Sequence, residues 1–230
     1  MSSDRFMNSS IFICYSTPNY ERLTDMCLSS LRDAGAKHID HLLDNPSKEL
    51  LSATGFQTPL WYYATKQKMV HLVNTLKKLK GSSDYKYFVF TDCDIIFIKR
   101  NAGHWQNLED HINRIQDKDL FFMKEKDTAD VNTGFCIIKN NENIDKVIAF
   151  FEEVVDIFIN SNTATLPYGD QSIINRIKNK INYDRIPNEY VVFGDIVFDY
   201  NRALFHHAIG CSDIYDKIHQ IHFVKSLLGI

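Results

Sequence analysis

Two aspartates stand one residue apart where the apolar run Tyr87–Phe90 (YFVF) ends, as Thr91-Asp92-Cys93-Asp94. An Asp-x-Asp triplet means little by itself: 21 aspartates in 230 residues give roughly two by chance. The chain contains two, and Asp117-Lys118-Asp119 serves as the internal control, expected to be a solvated loop because it lies in a polar stretch. Asp92 and Asp94 differ, because apolar residues flank them on both sides. Burying carboxylates without partners costs several kcal/mol or forces protonation. A cation, or a salt-bridging or capping partner, removes that cost. Extended backbone points neighbouring-but-one residues the same way only without a bend, whereas a turn can converge two carboxylates on one ion. Oxygen ligands of this kind suit Mn²⁺ or Mg²⁺ completed by substrate phosphates.

Other residues add to this chemistry. Asn132-Thr133-Gly134 precedes the apolar run Phe135–Ile138; the glycine permits close backbone approach and the amide both donates and accepts. Gly169-Asp170-Gln171 opens a helix-like stretch with Asn175 beyond it. Asp170 there either caps the helix or offers a carboxylate to a polar substrate. His206-His207-Ala208-Ile209-Gly210 comes late, where one imidazole could complete a metal shell, and Lys217 could offer a point charge to a phosphate. His104, His111, His219 and His222 have no such context. Lys66 and Lys68 lie on the helix before the Asp92 strand, and Lys66 shares a face with Met69, Val70 and Val73. Trp61-Tyr62-Tyr63 reads as core or as a sugar-stacking surface.

The elements needed to hold these residues are legible in outline. Ile11–Tyr15 is a β-favouring run, and Leu23, Met26, Cys27 and Leu31 recur at helical spacing until Gly35. Ile39–Leu43 reads as a strand, and Thr58-Pro59 opens a long helix ending near Gly81. The YFVF strand is expected to continue into Ile95–Ile98. Leu120–Met123 and Phe135–Ile138 read as strands, Val147–Phe158 and Ser172–Ile177 as helices, and Tyr190–Phe193 and Ile196–Phe198 as late strands. Alternation of strand and helix predicts an α/β fold, a Rossmann-like, mainly parallel sheet flanked by helices with a mixed C-terminal half. Without a Pro/Gly/Ser-rich linker, residues 1–230 are expected to form one domain, about 10–100 binding a nucleotide and about 101–230 completing the metal and acceptor sites.

Composition narrows the class. A net charge of −3 offers no broad phosphate-neutralising face, so no nucleic-acid partner is expected. Five scattered cysteines fit neither a disulfide framework nor a zinc ribbon. With no signal-peptide pattern and no apolar run of membrane-spanning length, a cytoplasmic protein without a transmembrane anchor is expected, in a bacterial or virus-infected cell.

Taken in order, the strand Ile11–Tyr15, Asp92-Cys93-Asp94, Asn132-Thr133-Gly134, Asp170-Gln171 with Asn175, and His207-Ala208-Ile209-Gly210 resemble GT-A type glycosyltransferases, and the glycosyltransferase 8 family in particular. The resemblance implies a transferase using a nucleoside-diphosphate sugar donor, usually a UDP-sugar, and a glycan or other hydroxyl acceptor. It assigns Asp92, Asp94 and His207 to a divalent metal, typically Mn²⁺. It assigns Tyr15, Ser16 and Thr17 to the nucleotide, and Asn132, Thr133 and Gly134 to the donor sugar. Asp170 and Gln171 fall beside the anomeric carbon. Lys66 or Lys68, Gly210 and Lys217 belong to the donor side. Related chains often carry Lys three residues after that last glycine; here position 213 is Asp and the next Lys is Lys217. Two rival readings use the same residues: a haloacid-dehalogenase-like phosphohydrolase working through Asp92 and Asp94, and a catalytically silent nucleotide-sugar binding domain.

Overall fold

A computed structural model describes residues 5–99, 103–126, 128–162, 165–211 and 213–229. In chain order the elements begin with α1 (Arg5–Asn8), β1 (Ser10–Ser16), α2 (Glu21–Asp33), β2 (His38–Leu43), α3 (Lys48–Ser52), α4 (Pro59–Leu79), β3 (Tyr87–Thr91) and β4 (Ile95–Phe97). They continue with α5 (His104–Arg114), β5 (Leu120–Lys124), β6 (Val131–Lys139), α6 (Ile144–Asn160), α7 (Asp170–Ile177) and β7 (Tyr183–Arg185). The chain closes with β8 (Val191–Phe193), β9 (Ile196–Val197), β10 (Phe205–His207) and α8 (Ile214–Leu228).

Six strands form the main sheet in the order β2-β1-β3-β6-β5-β7. All run parallel except β6, which is antiparallel to both neighbours. The reversal has a use: β6 starts at the edge where β1, β3 and β5 finish. Strand alternation divides the core. Phe12, Cys14 and Val89 face one side, with Trp105 of α5 and Phe205 of β10. Ile11, Ile13, Phe88 and Phe90 face the other, with Leu72 of α4 and Phe151 of α6. Each such side chain contributes roughly 1.5–3 kcal/mol by burial, which makes the sheet a rigid platform for its carboxyl edge.

Helix α4 starts where Pro59 pre-sets φ, and Thr58 caps it by accepting from Trp61 N at 3.3 Å. Its buried positions Thr65, Lys68, Met69, Leu72, Val73 and Leu76 follow one helical stripe. Lys68, rather than Lys66, therefore points inward.

Two expectations are corrected. Ile95–Ile98 does not extend β3. The chain turns at 92–94 and β4 enters a second sheet, ordered β4-β10-β8-β9. Nor is Asp117-Lys118-Asp119 a solvated loop throughout. Asp119 is buried and accepts from Asn141 Nδ2 at 2.9 Å and Asn143 Nδ2 at 3.2 Å, while Asp117 stays exposed. Two amide donors supplied from beyond β6 remove the desolvation cost that argued for exposure.

Candidate active site

Strand β3 runs out at Thr91 because its ladder ends: Asp92 N donates to Gly134 O at 2.7 Å, and Ile95 N closes a turn on Asp92 O at 3.3 Å. Beyond the turn, β4 pairs antiparallel with β10, setting Ile95 opposite His207. Ala208 N then donates to Asp94 O at 3.0 Å. Backbone pairing thus staples His207 to the aspartates, 113 residues earlier at Asp94 (207 − 94). Donor atoms of Asp92, Asp94 and His207 all lie within 4.8 Å of one another.

Two lysines complete the cluster. Lys68 Nζ donates to Asp92 at 3.1 and 3.3 Å and lies 3.2 Å from Asp170 Oδ2. Lys217 Nζ bonds Asp94 Oδ2 and donates to Ala208 O at 3.1 Å. His207 Nε2 sits 3.3 Å from Asp94 Oδ1. Burial disfavours the Asp94 carboxylate, but Lys217 and His207 outweigh it and hold the carboxyl well below its usual range. Asp92 goes the other way: burial raises it most, repulsion from Asp94 and Asp170 adds to that, and Lys68 and His207 only partly offset the sum. Tyr20, beside Lys217, is pushed up to about 12 by burial, against the pull of that lysine.

The cluster fits a divalent cation. Asp94 Oδ1 has no partner among the described residues beyond His207 Nε2 at 3.3 Å, and His207 Nδ1 is buried with no hydrogen-bond partner among them. Two carboxylates and an imidazole are the donor set Mn²⁺ or Mg²⁺ accepts. Three carboxylates (Asp92, Asp94, Asp170) face two ammoniums (Lys68, Lys217), so the lysines leave a net negative charge for a cation to meet. The packing is close as well: a Cβ on Gly134 would meet His207 Cε1 at 2.4 Å.

Asn132-Thr133-Gly134 lies inside β6, at a register shift opposite Phe122 and Met123, rather than in a turn ahead of the strand. Asn132 Oδ1 accepts from Gly134 N at 2.9 Å, and its Nδ2 donates to Glu125 Oε2 at 2.8 Å. Gln171 Nε2 donates to the same Glu125 oxygen at 3.1 Å, and its Oε1 accepts from Thr133 N at 3.4 Å. Asn175 grips Val131 N and O, both at 2.9 Å. Gln171 and Asn175 therefore hold the start of β6 in place. Glu125, which no sequence motif marks, ties the two amides together.

Asp170 is buried at the first position of α7, with Gly169 as cap, so its carboxylate serves Lys68 and not the helix end. Lys66 lies over the Tyr63 ring at 6.0 Å, away from the carboxylates. At the ends of β1 and β2, Tyr15 and Tyr63 hydroxyls both donate to Asp44 Oδ2, at 2.8 and 2.9 Å. Ser16 Oγ meets His41 Nε2 at 2.8 Å, and Thr17 is buried. Asp44 and His41 carry no motif of their own, and Tyr63, from the Trp61-Tyr62-Tyr63 triplet, serves here through its hydroxyl. Gly210 adopts a φ of 71, a left-handed conformation that turns the chain after His207.

The family model of the nucleotide-diphospho-sugar transferases matches residues 26–221, a span holding the aspartates, the β6 start, α7 and His207. The chain belongs to this family. As a nucleotide-diphospho-sugar transferase it shares its fold with a solved glycosyltransferase involved in the glycosylation of the major capsid of PBCV-1. That likeness has 12% identity and a TM-score of 0.64, and covers 92% of this chain and 98% of that one. GlyE of Streptococcus pneumoniae TIGR4 is similar at 12% identity and a TM-score of 0.54; there 95% of this chain spans 63% of the longer protein. At such identity the likeness is one of fold, and it bears out the α/β, mainly parallel sheet. No curated protein matches the chain by sequence. No helix among the described residues is long and apolar enough to cross a membrane.

Proposed function

We propose that this transferase moves a sugar from a nucleoside-diphosphate sugar, most simply a UDP-sugar, to a hydroxyl of a glycan or other acceptor, with Mn²⁺ or Mg²⁺ held by Asp92, Asp94 and His207. One observation carries the reading: His207, more than a hundred residues beyond the Asp92/Asp94 pair, converges its donor atom with theirs within 4.8 Å at the carboxyl edge of the sheet. Ligands of open α/β sheets bind at that edge. A cation bound there would supply a Lewis acid that neutralises charge growing on the diphosphate leaving group.

The chain's own residues divide the remaining work. Lys217, on α8, brings a positive charge to the diphosphate side of the cluster. The Tyr15-Ser16-Thr17 segment, with Asp44 and Tyr63 behind it, borders the nucleotide. Asn132 and Gly134 line the donor sugar. Lys68 orients Asp170, whose carboxylate either takes the proton of the acceptor hydroxyl, giving inversion, or orients the sugar, giving retention; the family resemblance favours retention. Gln171 acts as a positioning residue for the start of β6. The five free thiols support a reducing, cytoplasmic setting.

The test is a thermal-shift and donor-hydrolysis panel of nucleotide sugars with and without Mn²⁺. A donor at 100 times its Kd raises apparent stability by about 2.7 kcal/mol, well above detection. The reading expects metal-dependent binding and turnover of at least one donor. Turnover unchanged by excess EDTA would remove the metal from the mechanism. Binding with no hydrolysis or transfer across the panel would leave a silent binding protein.

A further inference from the structure

Beside Asp170 lies a group of rings that the donor chemistry does not use. Phe56 and Tyr168 are 54% and 59% exposed. Phe56 stands 4.8 Å from Trp61, edge-on at 67°, and 6.4 Å from Tyr168. Trp61 runs beneath Gly169: a Cβ at that glycine would come 3.1 Å from Trp61 Cη2 and 2.9 Å from Thr65 Oγ1. The residue after Gly169 is Asp170, paired with Lys68 at 3.2 Å. The rings are therefore continuous with the proposed catalytic centre.

The group is built, not incidental. Gln57 adopts a φ of 61, and its Nε2 donates to Pro167 O at 3.1 Å, tying the Phe56 segment to the Tyr168 segment. Tyr168 N donates to Ser172 Oγ at 2.9 Å. Left-handed backbone at a non-glycine residue is retained only where surrounding contacts enforce it. Both segments are also free of charge: neither residues 51–65 nor residues 157–169 contain Asp, Glu, Lys, Arg or His.

We propose that Phe56, Trp61 and Tyr168 form the acceptor subsite and that it takes a pyranose of a neutral glycan. This rests on the transferase reading above. A flat ring presents a negative face, and the C–H groups on one face of a pyranose carry the matching partial positive charge. The two segments that carry the rings are uncharged, and the nearby cations are already engaged, Arg176 with Thr165 O and Lys68 with Asp170 and Asp92, so a neutral acceptor suits the rings better than a phosphorylated or acidic one. Placement next to Asp170 brings the acceptor hydroxyl to the side of the cluster where the donor sugar would sit.

The experiment follows Trp61 emission in the full chain with UDP and Mn²⁺ present. The chain has two tryptophans and the other, Trp105, is fully buried, so it supplies a constant background. Cello-, malto-, chito-, xylo- and mannotriose are titrated in turn. At least one is expected to give a saturable shift. The double variant Phe56→Ser/Tyr168→Ser should raise its Kd about tenfold, with Tyr168→Phe close to wild type. The UDP–Mn²⁺ thermal shift should be the same in all three, since both positions are exposed and outside the donor site. No shift with any trisaccharide, or a shift indifferent to the double variant, overturns the proposal. A Trp61 shift with phosphatidylcholine vesicles but with no saccharide overturns it in favour of a lipid acceptor. Saccharide binding without any UDP–Mn²⁺ response upholds the subsite and sinks the donor reading instead.

Discussion

Replacing Gly134 by alanine isolates the approach of His207 to β6. Gly134 is absent from the left-handed glycines, so alanine meets no backbone strain there. Its methyl meets His207 Cε1 at 2.4 Å, Nε2 at 3.0 Å and Asn132 Oδ1 at 3.1 Å, where ordinary contact begins at 3.4 Å. The ring must therefore retreat by 1.0 Å (3.4 − 2.4), or β6 must bend away from it. His207 is buried against Phe193, so neither movement is free. Overpacking of this kind costs about 1–3 kcal/mol. For a chain of this size that lowers Tm by roughly 2–12 °C. Metal ligation tolerates only about 0.2 Å, so Mn²⁺ affinity should fall at least ~10–100-fold, the loss seen for disturbed outer-shell partners. Calorimetric melting with and without Mn²⁺, and titration of Mn²⁺ in the presence of UDP, read both effects. Gly81→Ala is the control: its φ is +73 with nothing within 4 Å of the added methyl, so it should lower Tm while leaving Mn²⁺ affinity alone. A Gly134→Ala protein with wild-type melting and Mn²⁺ binding would refute the packing of His207 on β6 and its part in the cluster.

Further outcomes follow from the same geometry. Asp94→Asn keeps shape but removes the charge between Lys217 and His207, so turnover should drop about 10²–10³-fold; a steady-state rate near wild type would count against the cation. Lys68→Met strands Asp92 and Asp170 together and should destabilise by about 3–5 kcal/mol in urea denaturation, whereas a neutral result would mean the pairing has no structural weight. His206, buried with Nε2 at 2.8 Å from Gly194 O, has its pKa lowered to about 4, chiefly by burial. Between that value and the ordinary 6.5 the unfolded chain binds a proton that the folded chain refuses, so stability should fall as pH drops across this window. The full effect is about 3 kcal/mol, flattening below pH 4; His206→Gln should lessen the slope, and an identical slope would assign it elsewhere.

The parts of the site that sequence reveals are those carried on strongly patterned elements. β1 and β3 read clearly because they are short unbroken apolar runs, and α4 because its apolar residues repeat at a period of 3.6. Asp92, Asn132 and Asp170 are legible for the same reason, since each lies at an end of such an element; His207 is legible only through its motif. Pairing between distant elements is what the pattern hides. β10 is three residues long and two are histidines, so nothing local marks it as a strand; only its ladder with β4 makes it one. Helix α8 escapes notice because Phe223 and Leu227 are exposed while Ile218, Ile221, Val224 and Leu228 are buried, which blurs its apolar face. Lys68 and Lys66 differ by half a helical turn, and only the partner carboxylates on other elements decide which lies inside. Glu125 and Asp44 depend wholly on contacts made across the sheet edge.

The pairing of Ile95 with His207 bears on how the protein comes into being. A ribosome delivers both aspartates long before the imidazole that joins them, and β4 has no partner in its own sheet until β10 emerges. Throughout that interval the nascent chain can build β1, β2 and β3 yet holds no complete centre. The cluster thus closes in one late event, when β10 pairs with β4, and a polypeptide cut short before that event would lack the proposed metal site altogether.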